Sequence, residues 1–190
     1  MLKKYFLLFL VSTTLIFAVT KEEIEPHMVK KVNEVLSILK SKELNKEAKS
    51  EQIISKMDPI FDYTLMARLS LGKEWNALSN DKKEEFTSLF TVVLKRSYLN
   101  KLDLYTNQEI KFLGTQEPKK NRIIVNTVLV GEKENFDINY KFYQKAKDEW
   151  KIYDINLLGV SIIQTYRQQF AGFLKDKSFD DLLKNLNSKK

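Results

Sequence analysis

"FDINYKFYQKAKDEWKIYDINLLGVSIIQTYRQQF" runs from Phe136 to Phe170, and its reading decides the fold. Phe136, Ile138, Tyr140 and Phe142 alternate with Asp137, Asn139, Lys141 and Tyr143. That period of two belongs to a strand with one apolar face and one wetter face. Lys145 to Glu149 turns the chain, and Trp150 to about Asn156 returns as an antiparallel partner. Gly159 marks a break. From Ser161 the period lengthens to that of a helix, which runs to about Lys175 with Ile163, Tyr166, Phe170, Phe173 and Leu174 inward.

The alternation extends backwards. Gln108 to Gly114 and the β-branched stretch Arg122 to Val130 are two further strands, with turns expected at Glu117–Lys120 and Gly131–Glu134. Successive hairpins make an antiparallel meander. Before it the pattern is helical. Glu22 to Lys40 carries Met28, Val32, Val35, Leu36 and Leu39 on one face, and Ile53, Ile54 and Met57 continue up to the breaker Asp58-Pro59. Gly72 reads as a helix stop. Ser79 then caps a long helix to about Asp103, whose inward positions include Phe86, Leu89, Phe90, Val93, Leu94 and Tyr98. After the meander, Ser178 and Asp181 form a capping box ahead of Leu182, Leu183 and Leu186. The order is helices, antiparallel sheet, helices: an α+β fold with helices packed on the sheet.

The 190 residues are 43% hydrophobic and 30% charged, enough to build a core and remain in solution. Residues 1–18 stand apart. Lys3 and Lys4 precede the apolar run Tyr5–Leu10, the run resumes at Leu15, and Ala18 offers a small residue for cleavage. This is the layout of a cleaved signal peptide, with residues 19–190 left as one exported domain. The apolar stretch is about 15 residues, short of the roughly 20 that a spanning helix needs. With no Cys, the mature chain forms no disulfides. Loss of Lys3 and Lys4 lowers the net charge from +7 to +5, and the remaining cations are interleaved with acids rather than gathered in a nucleic-acid-binding stripe.

Residue inventory excludes several chemistries. His27 is the only histidine and sits among Glu and Lys, where it reads as a surface residue without a catalytic partner. No His or Cys set exists for zinc, and the five glycines are scattered, so no phosphate cradle forms. Asp154, in the fourth strand on the face of Trp150 and Ile152, is a candidate base, while Asp58 and Asp62 are read as organising helix ends around Pro59. The alternative for Asp154 is a strand-end Asp that caps a neighbouring turn or pairs with an Arg. What remains is an excess of large apolar side chains, which serves a filled core and a lined cavity equally well.

Two blocks carry a family resemblance. "PIFDYTLMARLSLGKEWNALSNDKKEEFTSLFTVVLKRSY", Pro59 to Tyr98, resembles the MlaC family of periplasmic phospholipid-binding proteins, also called toluene-tolerance auxiliary proteins. The similarity rests on Pro-x-Phe-Asp, Leu71-Gly72, Trp75, Leu78-Ser79, Phe86, Phe90 and Tyr98. Trp150 to Phe170 is similar to the family's tryptophan, Tyr-Asp, Gly-Val-Ser and Tyr-Arg pattern. The resemblance implies a sheet like that of the NTF2-like fold, helices added around a hydrophobic cavity, and no catalytic residue, cofactor or metal. It implies a monomer that carries diacyl phospholipid between an outer-membrane lipoprotein–porin complex and an inner-membrane MCE-type ABC transporter complex. Exposing roughly 30 methylenes to water costs on the order of 20 kcal/mol, so such a carrier needs apolar area above all. Candidates for the cavity wall are Phe61, Met66, Leu69, Phe90, Leu94, Tyr98, Val125, Ile138, Tyr140, Ile155, Val160 and Ile163. Val160 is expected to face the acyl chains, with Leu158 and Ile162 turned elsewhere. Two other readings stay open on the residues alone: an NTF2-like enzyme using Asp154, and a periplasmic chaperone or interaction module.

Overall fold

The structure, a computed structural model, describes residues 19–99, 108–132 and 134–189. The expected signal peptide and the expected extension of the long helix to Asp103 lie outside them. Helix α1 (Ile24–Lys40) buries Ile24, Met28, Val32 and Ile38. Helix α2 (Lys46–Met57) starts at Asn45, whose side chain accepts from the Ala48 N–H at 2.8 Å. A 3-10 turn over Asp58–Ile60 redirects the chain at Pro59 into α3 (Tyr63–Leu71). That helix stops at Gly72, whose φ of 68° a side chain would disfavour. A second 3-10 turn, Gly72–Ala77, buries Trp75 and leads to α4 (Asn80–Leu99).

The sheet has five strands in the order of the chain, β1 (Glu109–Lys119), β2 (Arg122–Val130), β3 (Asn135–Ala146), β4 (Glu149–Leu157) and β5 (Val160–Ser161), each antiparallel to its neighbour. β1 runs on through Pro118 to Lys119, as an edge strand can, so the turn expected at Glu117–Lys120 falls instead at Lys120–Asn121. β5 is an element the sequence reading lacked. It pairs with the end of β4 across a two-residue turn, Leu158 (φ 52°) and Gly159 (φ 78°), both left-handed as a tight hairpin requires. Helix α5 (Ile162–Phe173) follows, then α6 (Phe179–Asn187) with the capping box of Ser178 and Asp181 in place.

Apolar side chains gather in two cores. One lies between α1 and the sheet, where Met28 and Val32 meet Val125, Phe142 and Ile152. The other joins α3, α4, α5 and α6 through Met66, Phe86, Phe90, Phe170 and Leu182. Phe90 packs edge-on against Tyr166 at 5.2 Å and stacks on Phe86 at 6.0 Å. Phe61 and Ile155 pack against both cores.

The join between helices and sheet is made at Phe61-Asp62. Phe61 forms an isolated parallel bridge with Ile152, and the Asp62 N–H donates to the Ile152 carbonyl at 2.9 Å. The buried Asp62 carboxylate accepts from the Tyr143 hydroxyl, from the Leu65 N–H at 2.9 Å, and pairs with Lys145 at 3.2 Å. Burial alone would raise its pKa. The Tyr143, Leu65 and Lys145 contacts outweigh burial and hold it below the ordinary 3.8. A carboxylate depressed in the folded state stabilises the fold above its unfolded pKa and loses that contribution as pH falls through the folded value. Asp62→Asn keeps the shape and removes the charge. It is expected to lower stability by about 1–2 kcal/mol at neutral pH. The gap to the native chain should narrow in urea titrations as pH drops below about 4. An equal gap at pH 7 and pH 3 would contradict this role.

Candidate functional site

Two adjoining chambers, of about 270 Å³ and about 570 Å³, lie between the sheet and the helices. The larger falls within the roughly 300–1,000 Å³ of ligand pockets, and the smaller lies just below it. Val35, Met57, Tyr98, Ile138, Tyr140 and Leu157 line both, so the two spaces meet among these six side chains. The first chamber adds Ile53 and Ile54 of α2, Leu94 and Leu99 of α4, and Ile155 of β4. Phe61, Tyr63, Met66 and Ile162 complete its apolar wall. The second is closed on one side by Val32, Leu36 and Leu39 of α1, and on the other by Ile110, Leu129 and Phe136 of β1, β2 and β3.

Local periodicity puts these side chains there. Val32, Val35, Leu36 and Leu39 recur at helical spacing and form one stripe of α1. Phe136, Ile138 and Tyr140 alternate along β3 and share one sheet face. In β4 the register slips between the pairs Phe142–Ile152 and Lys141–Asp154, leaving Tyr153 as an extra residue. This bulge moves Ile155 and Leu157 onto the chamber face, opposite Tyr140 and Ile138.

Of the wall residues expected from sequence, Phe61, Met66, Leu94, Tyr98, Ile138, Tyr140 and Ile155 line the chambers. Five do not. Phe90 and Ile163 are buried in the helical core, where Phe90 meets Tyr166 and Phe170 of α5, and Leu69 of α3 is half-buried against the same core. Val125 is buried among the residues that α1 covers. Val160 is 61% exposed, since β5 turns it outward beyond the hairpin. Its neighbours do the reverse of what was expected. Ile162 lines the first chamber, and Leu158 stands 60% exposed at the rim of the second. The α1 and α2 contributions were missed as a wall, although their stripes are plain in the sequence; nothing in a stripe says whether a cavity or a packed neighbour faces it.

The chambers hold little charge. Asp58 and Lys95 edge the first and Asp137 the second. Burial raises the Tyr140 phenol to about 12. Burial, with the Tyr166 and Asp154 charges behind it, does the same for Tyr98, also to about 12. Both rings are therefore neutral wall material at physiological pH. Tyr63 is raised as well, by burial and then by its hydrogen bond to Asp58.

Asp154 does not share a face with Ile152, as the sequence suggested; the bulge at Tyr153 turns it to the side of Lys141. There it pairs with Lys141 at 2.9 Å, accepts from the Ser161 hydroxyl at 2.7 Å and accepts from the Ile163 N–H at 3.2 Å. Ser161 in turn caps α5, accepting from the Gln164 N–H at 3.0 Å. Asp154 thus anchors the start of α5 and lines neither chamber. His27 also departs from expectation. It is half-buried, and its buried Nε2 has no hydrogen-bond partner among the described residues. Burial, then the charges of Lys31 and Lys30, pushes its pKa below the ordinary 6.5.

Known proteins are similar to this chain in sequence and in fold. The chain is 26% identical over 117 residues to the intermembrane phospholipid transport system binding protein MlaC of Haemophilus influenzae; the match covers 60% of this chain and 55% of that protein. The chain thus spans about half the length of that curated relative. A phospholipid-binding protein of Ralstonia solanacearum, solved in complex with a phospholipid, superposes with a TM-score of 0.75 at 23% identity, covering 86% of this chain and 94% of that one, and so shares the fold. The family model described as MlaC protein matches residues 29–188, from α1 through α6 and across both chambers, and the chain belongs to the MlaC family.

Proposed function

We propose that this protein is an aqueous carrier of diacyl phospholipid that shields its cargo's acyl chains in the two chambers. The observation that carries the reading is the pair of adjoining apolar spaces, lined in common by six residues and equal in number to the two tails of one lipid. Each buried methylene contributes about 0.8 kcal/mol, so apolar area of this kind supplies the affinity and directional polar contacts are secondary. The relatives named for phospholipid binding and transport agree with it. In this reading residues 1–18 direct export to the periplasm and are removed. The remaining domain, a monomer, passes lipid between an outer-membrane lipoprotein–porin complex and an inner-membrane MCE-type ABC transporter complex. Phospholipid is cargo, and no cofactor or metal takes part. An Asp154-based enzyme loses its footing, because that carboxylate is engaged by Lys141, Ser161 and Ile163 away from the chambers.

Two outcomes are expected. Protein purified from an envelope fraction carries close to one diacyl phospholipid per chain by extraction and mass spectrometry. Chain that is free of lipid and also takes none from vesicles would sink the carrier reading. Second, Met57→Glu sets a carboxylate in the wall common to both chambers, where an unpaired charge costs several kcal/mol, and should empty them. Val160→Glu, on an exposed side chain, should leave lipid content unchanged. Circular dichroism and lipid content on the same samples decide the matter. A folded Met57→Glu chain with full lipid would remove the chambers from the account.

A further inference from the structure

The first chamber is apolar except at one place. There Lys95 of α4 lies along its wall and its ammonium pairs with Asp58 at 2.5 Å. The Tyr63 hydroxyl donates to the other Asp58 oxygen at 2.8 Å, and the Lys95 ammonium stands 4.8 Å from the centre of the Tyr63 ring. Both charged side chains are partly exposed, 24% for Lys95 and 35% for Asp58. A charged pair that edges an apolar chamber and also meets water marks its mouth. A lipid whose tails fill the chambers must leave its headgroup at such a mouth, because a phosphodiester cannot enter the apolar interior without a large desolvation cost.

The pair is suited to more than tolerance of a headgroup. Lys95 is a cation with three donors, of which Asp58 uses one. Asp58 is an acceptor held in place by Tyr63 whether or not Lys95 remains with it. We propose that Lys95 and Asp58 form a subsite for a zwitterionic phospholipid headgroup: on loading their mutual ion pair opens, Lys95 donates to the phosphodiester and Asp58 accepts from the headgroup amine. One ion pair is exchanged for two, so no charge is left unpaired, and the empty subsite is self-neutralised while it waits. The proposal rests on the carrier reading and adds headgroup selectivity to it.

The test is competitive loading from vesicles that contain phosphatidylethanolamine, phosphatidylglycerol and diacylglycerol with identical acyl chains, read by mass spectrometry of the bound lipid. The native chain should enrich phosphatidylethanolamine over diacylglycerol. Lys95→Met, which keeps the stem and removes the charge, should reduce that enrichment about tenfold, the scale of a lost charge-assisted hydrogen bond. Lys95→Arg should restore most of it. Asp58→Asn should lower the preference for phosphatidylethanolamine over phosphatidylglycerol and leave the preference over diacylglycerol largely intact. Unchanged ratios in Lys95→Met would overturn the subsite while total uptake still upholds the carrier. No uptake of any lipid by the native chain would overturn the carrier itself. A second measurement needs no variant: with 13Cε-labelled lysine, the Lys95 resonance should shift on loading with phosphatidylethanolamine and stay in place with diacylglycerol. The same shift with both lipids would contradict contact with the headgroup.

Discussion

The Asp62 N–H reaches the Ile152 carbonyl at 2.9 Å, and that join sets α3 against the sheet, with Phe61, Tyr63 and Met66 in the wall of the first chamber. An apolar space between a sheet and a set of helices tends to close, because its lining gains dispersion contacts when it does. Here the closure is opposed by fixed points on either side. Asp62 ties the start of α3 to β4 and, through Tyr143 and Lys145, to β3. Asp154 ties the start of α5 to β4 and, through Lys141, again to β3. The two carboxylates hold successive helices at set positions on the same two strands. Phe61 and Ile155, which touch both cores, fill the gap between those anchors. The buried polar groups thus set the geometry of a site whose own binding surface is apolar.

The bulge at Tyr153 is the second constraint. Without it, strict alternation from Ile152 would put Asp154 into the chamber and turn Ile155 away. One extra residue reverses both. The same strand can then bury Trp150 and Ile152 beneath α1 and, further along, offer Ile155 and Leu157 to the chambers while Asp154 faces α5. A chain that must make both a core and a cavity from one strand gains this through register.

Much of this was legible in the residues. The change of period near Gln108, the alternation along Phe136–Phe142 and the capping box at Ser178 give the helices, the meander and its order. Seven expected wall residues stand in the chambers because they lie on faces that any packing of these elements would turn inward. The failures are of two kinds. Phe90, Ile163 and Val125 are apolar and inward, yet a stripe does not announce whether its neighbour is a side chain or a void. Val160 and Asp154 were misplaced by backbone features, a left-handed two-residue turn at Leu158-Gly159 and a one-residue register slip. Leucine in a left-handed conformation carries no sequence signal, and neither does a bulge without glycine.

On the carrier reading, the two adjoining chambers take the two tails of one lipid, one chain each. The direct measurement is a crystal structure of the protein loaded with a diacyl phospholipid of defined chain length. One acyl chain is expected in each chamber, the two diverging beside Tyr98 and Tyr140, with Met57 and Leu157 in contact with both. Both chains lying together in one chamber, or lipid bound outside the space between α1, α2 and the sheet, would contradict it.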